Sequence, residues 1–308
     1  MKKLFIYLVM FIFIINSFIV WSQSDVKLSS FFLTPLTYNP AYAGSYEGMS
    51  FTSLYSSQWV GFVGAPKTLF INGHGTFFGP NMGLGAEIIH DEIGVVTDTK
   101  ILGNYAYHIQ LHEDWRLAMG IKAGASWYSV DYSRLRIQNP NEINNLNGTI
   151  KNIDINIGAG FFIHNENFYF GLGVPNFMKT NYINSDDATI ASSRPNYYIS
   201  SGYKFDLQNK VYFQPSVLIR TVDGAPINSI FAGTINWQDK FYGSLNVDLN
   251  STVGGFAGFR YDEKYLFGYS YDASIDNFSN TNLGIHSFFL NIRIEDYWKR
   301  DRCGCYSF

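Results

Sequence analysis

The side chains best suited to chemistry in this chain are His108, His164, Glu87, Lys122, Asp154, Lys204, Arg220, Asp248 and Arg260, which the alternation described below turns toward one common interior. A histidine beside a serine or an aspartate in such an interior is the starting material of nucleophilic hydrolysis. The spacing does not assemble it. The six histidines are scattered, no two are set to converge on a metal from one face, and no nucleophile motif is present. A hydrogen-bonded polar lining is the expected role of these residues, with no catalysis, cofactor or metal.

Two other patterns invite a chemical reading. "CGC", Cys303 to Cys305, holds the only two cysteines of the chain. A disulfide across one residue is strained and labile, and metal capture by two thiols would need further ligands from a partner. The plainer reading is a tail without a chemical role. "KNIDINIGAG" and "GLGAE" are glycine patterns of the kind seen in phosphate loops, but neither leads into a helix, so the dinucleotide reading fails on context. Interior-facing glycines instead let a segment of chain approach the wall closely.

The elements that position these residues alternate with a period of two. In "NIDINIGAGFFIHNE", Ile153, Ile155, Ile157, Ala159, Phe161 and Ile163 take one face, and Asp154, Asn156, Gly158, Gly160 and His164 take the other. That is a strand. "WRLAMGIKAGASWY" and "FYGSLNVDLN" repeat the pattern, with Ile121 and Leu245 on the apolar faces and Lys122 and Asp248 opposite. Strands near Phe51, Leu69, Leu84, Leu102, Met119, Ile157, Phe170, Ile199, Phe213, Phe231, Leu245, Phe256, Tyr269 and Phe289 give about fourteen, an even number as single-chain bacterial barrels require. Those near Leu84 and Phe256 are short and rich in glycine.

Composition says what the apolar faces meet. Of 308 residues only 15% are charged, whereas 18% are aromatic, with 22 Tyr and 27 Phe. A surface so poor in charge faces something other than water. Residues 1–22 read as an export signal, with Lys2 and Lys3 before the apolar run Leu4 to Ile15, so the mature chain would start near Gln23. Beyond it no apolar stretch is long enough for a membrane helix. A membrane would then hold the chain only as a closed barrel, because lipid offers backbone groups no other partner. The net charge of −3 argues against a general nucleic-acid binder.

Loop lengths agree with that reading. The tight turns "GPN", "LHEDW", "HNEN", "LQNK", "QDK" and "DEK" share one parity, and the long segments 139–151, 176–193 and 275–282 share the other. Outer-membrane barrels pair short periplasmic turns with long outer loops, so both termini would be periplasmic and the long loops at the cell surface. A soluble sandwich also alternates. It would carry charge on its outer face, whereas here the polar faces hold Gly, Ser and Asn, and Trp59, Trp115, Trp127, Trp237 and Trp298 sit toward strand ends as interfacial girdles do.

"FFLTPLTYNPAYAGSYEG", followed by "SSQWVGFVGAPKTLFINGHG", "MGLGAEIIHDEIG" and "NYAYHIQLHEDWRLAMGIKAGASWYSVDY", resembles the PorP/SprF family of type IX secretion system membrane proteins. The resemblance rests on Asn39 to Ser45, on Gln58, Trp59, Gly61, Gly64 to Pro66 and Thr68, on Gly83 to Gly85, on Asp91, Ile93 and Gly94, and on Tyr105 to Tyr107. It implies an outer-membrane barrel without enzymatic activity, working with other type IX components. Members are associated with particular secreted adhesins or gliding proteins, whose export or surface anchoring they support by recognising a C-terminal domain.

The expected organisation is a signal (1–22), an extended N-terminal strap or plug (23–49), an all-β transmembrane barrel of about fourteen antiparallel strands (50–294) and a periplasmic tail (295–308). Pro35 and Pro40 do not suit a central strand. Phe31, Phe32, Leu33, Leu36, Tyr38 and Tyr42 would pack at the barrel mouth or inside the lumen, and Gly44 would permit the turn into the wall. Candidate contacts with a partner or plug are Phe31, Phe32, Leu36, Tyr38, Asn39, Pro40, Tyr42, Gly44, Gln58, Trp59, Gly64 and Pro66. The alternative on the same barrel is a diffusion pore for small hydrophobic solutes, since fold alone does not decide function.

Overall fold

A computed structural model describes residues 30–46, 48–77, 79–134, 148–183, 189–249, 251–275 and 283–294, with backbone alone for 180–183 and 189–193. The expected signal, the start at Gln23, Trp298 and the tail with Cys303 and Cys305 lie outside the described residues.

A period of two fits only a pleated wall, and a wall in lipid must have no edge. β1 (Met49–Gln58), β2 (Lys67–Thr76), β3 (Met82–Ile93), β4 (Val96–Gln110), β5 (Arg116–Asp131), β6 (Thr149–His164) and β7 (Phe168–Val174) follow as antiparallel neighbours. β8 (Thr180–Ile183) and β9 (Thr189–Ser193) form a separate hairpin in the next connection. The wall resumes with β10 (Asn196–Tyr203); β11 (Phe205–Asp206) is a two-residue strand on the edge of β12 (Val211–Val222). β13 (Asn228–Trp237), β14 (Phe241–Asp248), β15 (Thr252–Tyr261), β16 (Tyr265–Ser274) and β17 (Ile285–Ile294) complete it.

Closure is made by β17 pairing along the whole of β1, from Met49 opposite Ile294 to Gln58 opposite Ile285. β10 joins β12 directly. Leaving out β8, β9 and β11, fourteen antiparallel strands form a closed barrel. Each of the fourteen positions taken from the sequence falls in its own strand of this wall. The glycine-rich stretches around Leu84 and Phe256 are ordinary wall strands, β3 having 12 residues and β15 having 10.

Burial reverses the soluble pattern. Ile153 and Ile155 are each 63% exposed and Leu245 is 74% exposed, while Asn156, Asn246 and Ser126 between such residues are buried. The sandwich reading therefore fails, because its apolar face would be the hidden one. At one end of the barrel, the turn end, the connections are tight. Gln238 with Asp239, and Asp262 with Glu263, hold positive φ at both central positions. Each such pair is the left-handed centre of a tight turn, within a three-residue connection between Trp237 and Phe241 or between Tyr261 and Tyr265. Trp115 against Phe168, Tyr203 against Phe205, and Trp237 and Phe259 against Phe241 form an aromatic band there.

The opposite end, the loop end, carries the long connections. It also carries two tight ones, at Gly94–Val95 and between Asp248 and Thr252, so the contrast in loop length is less uniform than the sequence pattern implies. The segment "NPNEINNLNG" lies almost wholly outside the described residues, and "NSDDATIASSRPN" partly so.

The expected extended strap is not extended. Residues 31–42 fold into a 3-10 turn (Phe31–Leu33), one helical turn (Pro35–Tyr38) and a second 3-10 turn (Pro40–Tyr42). Both prolines sit at the first position of a turn, where the missing N–H costs nothing and the fixed φ is already helical. Proline excluded the segment from the wall, as anticipated, but it started short helices rather than an extended run.

Candidate functional site: the barrel interior

The compact N-terminal segment occupies the interior and is almost fully buried. Phe31, Phe32, Leu36, Tyr38, Asn39, Pro40, Tyr42 and Gly44 are all buried. Their contacts are with lumen-facing side chains. Phe32 packs edge-on to Phe256 of β15 at 6.0 Å, Tyr38 lies 5.8 Å from Tyr198 of β10, and Tyr42 stands between His74 of β2 and Phe162 of β6 at 5.3 and 5.5 Å. The segment thus touches opposite sides of the barrel at once.

Glycines on the lumen face make the approach possible. A Cβ at Gly83 would strike the backbone of Ala43, one at Gly120 the backbone of Pro40 and Ala41, one at Gly160 the Asn39 side chain, and one at Gly173 the carbonyl of Tyr38. These lie on β3, β5, β6 and β7, so one sector of wall is flattened to accept main chain. Gly44, with φ +74°, makes the last turn before the wall, and a Cβ there would meet the Cα of Gly83.

Polar groups fix the segment in register. Asn39 accepts from the N–H of Ala41 at 3.0 Å, which caps its own turn, and donates from Nδ2 to the Phe161 carbonyl at 2.9 Å. His108 Nε2 donates to the Ala43 carbonyl at 2.8 Å, and His74 Nδ1 accepts from the Gly44 N–H at 3.3 Å. Those two bonds assign opposite roles to two ring nitrogens.

The strongest anchor is an ion pair. Lys122 of β5 is bridged to Glu87 of β3, with 0% and 1% of the side chains exposed. Lys122 Nζ also donates to the carbonyls of Leu36 and Thr37, each at 3.0 Å, and Asn104 Nδ2 donates to Glu87 Oε1 at 3.0 Å. Sequence parity puts both charges in the interior but not against each other. Their meeting depends on the stagger of β3, β4 and β5. Asn104 and His74, which parity alone would place on the lumen face, were not singled out by sequence reasoning.

The remaining candidates separate into a second group. Gln58 and Pro66 close the loop between β1 and β2 at the loop end, through the Gln58 N–H and the Pro66 carbonyl at 2.9 Å. Trp59 N–H reaches the Gly284 carbonyl, and Gly94 N–H the Gly64 carbonyl, each at 2.9 Å. The loop is tied to its neighbours while Trp59, Val60, Phe62 and Val63 stay exposed. Gln58, Trp59, Gly64 and Pro66 are therefore not brought together with the interior segment.

His74 and His164 each stand within electrostatic reach of His108 in the interior. His108 and His112 are four residues apart, but His108 is buried in β4 and His112 lies exposed in the turn beyond it. Among the described residues no group of three His, Cys, Asp or Glu is placed to hold a metal ion. Beside the N-terminal segment, a cavity lined by Tyr38, Tyr42, Phe162, Tyr169 and Ser200 has about 10 Å³, room for about one water. A much larger groove, about 820 Å³, lies on the outside of the wall among Phe51, Ile71, Gly73, Ala86, Ile88 and Ile121.

The chain thus joins a closed fourteen-strand wall to an N-terminal segment seated through "NPAYAGS" and a tied "QWVGFVGAP" loop. The family described as "Type IX secretion system membrane protein PorP/SprF" matches residues 20–292. The chain belongs to this family. The resemblance drawn from its motifs is thereby borne out over nearly the whole chain. No curated protein matches it in sequence.

Among solved structures, this PorP/SprF-family barrel is similar to the CymD monoaromatic hydrocarbon channel, with a TM-score of 0.52 at 11% identity over 86% of this chain and 94% of that one. The Ralstonia pickettii toluene transporter TbuX has a TM-score of 0.49 at 8% identity, over 83% and 92%. At such identities the likeness to CymD concerns the fold, that of an outer-membrane barrel. Barrel fold and secretion family together indicate the outer membrane.

Proposed function

We propose that this barrel binds a large secreted adhesin, or another type IX substrate, through the partner's C-terminal domain, and supports its export or surface anchoring without catalysing a reaction. Membership of a secretion-system family carries the proposal. The interior segment gives it a physical form: residues 31–44, packed across the lumen, would close or narrow the pore, as suits a docking platform. The termini and tight turns face the periplasm, and the long loops face the cell surface. The tied loop Gln58–Pro66, with Trp59, Phe62 and Val63 exposed, is a candidate contact surface at the rim, alongside the long outer loops and the tail.

The test is affinity purification of the tagged protein from detergent-solubilised outer membranes, with mass spectrometry of what remains bound. Stoichiometric recovery of one large secreted protein through its C-terminal domain is expected. A barrel recovered alone after mild crosslinking would overturn the proposal.

A second reading, diffusion of small hydrophobic solutes, draws on the likeness in fold to a monoaromatic hydrocarbon channel. It needs the interior segment to move. Liposome swelling in an aromatic hydrocarbon, equal for the full chain and for a chain lacking 31–45, would favour this reading.

A further inference from the structure

The turn end of the lumen is rich in basic side chains. Lumen-facing acids, Glu87, Asp91, Asp98, Asp154, Asp248 and Asp272, all stand five or more positions from the turn end of their strands, as counted from the strand limits. The lumen-facing His74, His108, Arg116, His164, Arg260 and Arg293 stand at most two positions from it. Glu113, Asp239 and Asp262 lie in turns beyond these strand ends, and Asp206 lies in β11 opposite Tyr212; all four are exposed. Arg116, Arg260 and Arg293 therefore gather at the turn end, whereas Lys100, Lys122 and Arg220 stand farther toward the loop end.

One of these arginines is incompletely engaged. Arg260 is only 4% exposed, its Nε donates to the Tyr242 hydroxyl at 2.9 Å, and its guanidinium lies 5.0 Å from the centre of the Tyr242 ring. Its Nη1 and Nη2 are buried, and among the described residues they have no hydrogen-bond partner and Arg260 makes no ion pair. Arg293 is close enough to interact with it electrostatically and stacks on Tyr46 at 5.0 Å. A buried guanidinium without an acid is costly, and a second cation beside it adds to the cost. Two adjacent unused N–H donors on a planar fork match the two oxygens of a carboxylate. Tyr242 holds the fork in place from the other side.

We propose that the turn end of the lumen around Arg260 is a carboxylate-binding site, with Arg260 Nη1 and Nη2 as the bidentate donors and Arg293 supplying further positive charge. The ligand is the carboxylate of an acidic side chain or chain end of a polypeptide reaching in from the turn end, or of a small organic acid. The site is independent of whether an adhesin is the partner.

The test uses the full chain in detergent, titrated at constant ionic strength with triglutamate, sodium acetate or inorganic phosphate and followed by tryptophan fluorescence and thermal unfolding. Saturable binding of triglutamate, acetate or both is expected, weakened at least tenfold in Arg260→Gln and less in Arg260→Lys. Binding of triglutamate alone identifies a polypeptide source, and binding of acetate with similar strength a small acid. Should Arg260→Gln fail to fold, Tyr242→Phe removes the hydroxyl that orients the fork and should weaken binding by a smaller factor. Binding that is equal in wild type and variants, no binding of either carboxylate, or a preference for phosphate would overturn the proposal.

Discussion

Replacing Lys122 by methionine should release the N-terminal segment from the wall while leaving the barrel closed. Methionine keeps most of the stem but deletes the ammonium that donates to the carbonyls of Leu36 and Thr37, each at 3.0 Å. Hydrogen bonds to a charged group contribute about 1.5–3 kcal/mol each, so two of them amount to about 3–6 kcal/mol of anchoring. At about 1.4 kcal/mol per factor of ten, the displaced form should be populated at least about a hundredfold more often. Glu87 would also be left buried without its cation, and breaking a buried pair costs about 3–5 kcal/mol, some of it borne by the barrel itself. The assay is maleimide labelling of Thr37→Cys, a half-buried position, with Cys303 and Cys305 changed to serine. Labelling tracks the open population when closing is faster than modification. Glu87→Gln keeps both carbonyl bonds to Lys122 and should raise labelling much less. A rise below threefold in Lys122→Met, with the barrel still showing heat-modifiable migration, would refute the anchoring role.

Gly120→Val should displace or destabilise the segment and raise Thr37→Cys labelling, because its Cβ meets the backbone of Pro40 and Ala41; Gly103→Val, with its nearest atom 3.8 Å away, should stay within about 0.5 kcal/mol of wild type in urea unfolding. Deleting residues 31–45 should add conductance in single-channel recordings, and an unchanged trace would remove the pore-closing role. Ile121→Arg, outward and 59% exposed, should cost about 2–4 kcal/mol in vesicle-based unfolding, because it lies near the middle of the outward band counted from the turn end, whereas Ile153→Arg toward the loop end should cost about 0–1 kcal/mol. Equal penalties at the two positions would contradict the assigned depth.

Fourteen strands, their faces and the parity of the loops were legible in the sequence because each rests on an alternation internal to one strand. Ile153, Ile155 and Asn156 declare their sides without reference to any neighbour, and a wall with an apolar outside must close on itself in lipid. The family was legible for a related reason: "NPAYAGS" and "QWVGFVGAP" are contiguous runs, so their recognition needed no folding. Pro35 and Pro40 likewise announced that their segment is not a wall strand.

Only the tertiary structure decided what meets what across the lumen. Residues 36–37 and Lys122 are 85 or 86 positions apart, and Glu87 reaches the same ammonium from a different strand. Such contacts depend on stagger, curvature and the shape of the enclosed segment, none of which is periodic in sequence. The same holds for the glycines: Gly83, Gly120, Gly160 and Gly173 look like weak strand positions one at a time, and become a seat for main chain only when the four strands carrying them stand around one interior. Local pattern thus determined the wall, whereas the contents of the barrel were settled by packing between residues far apart in the chain.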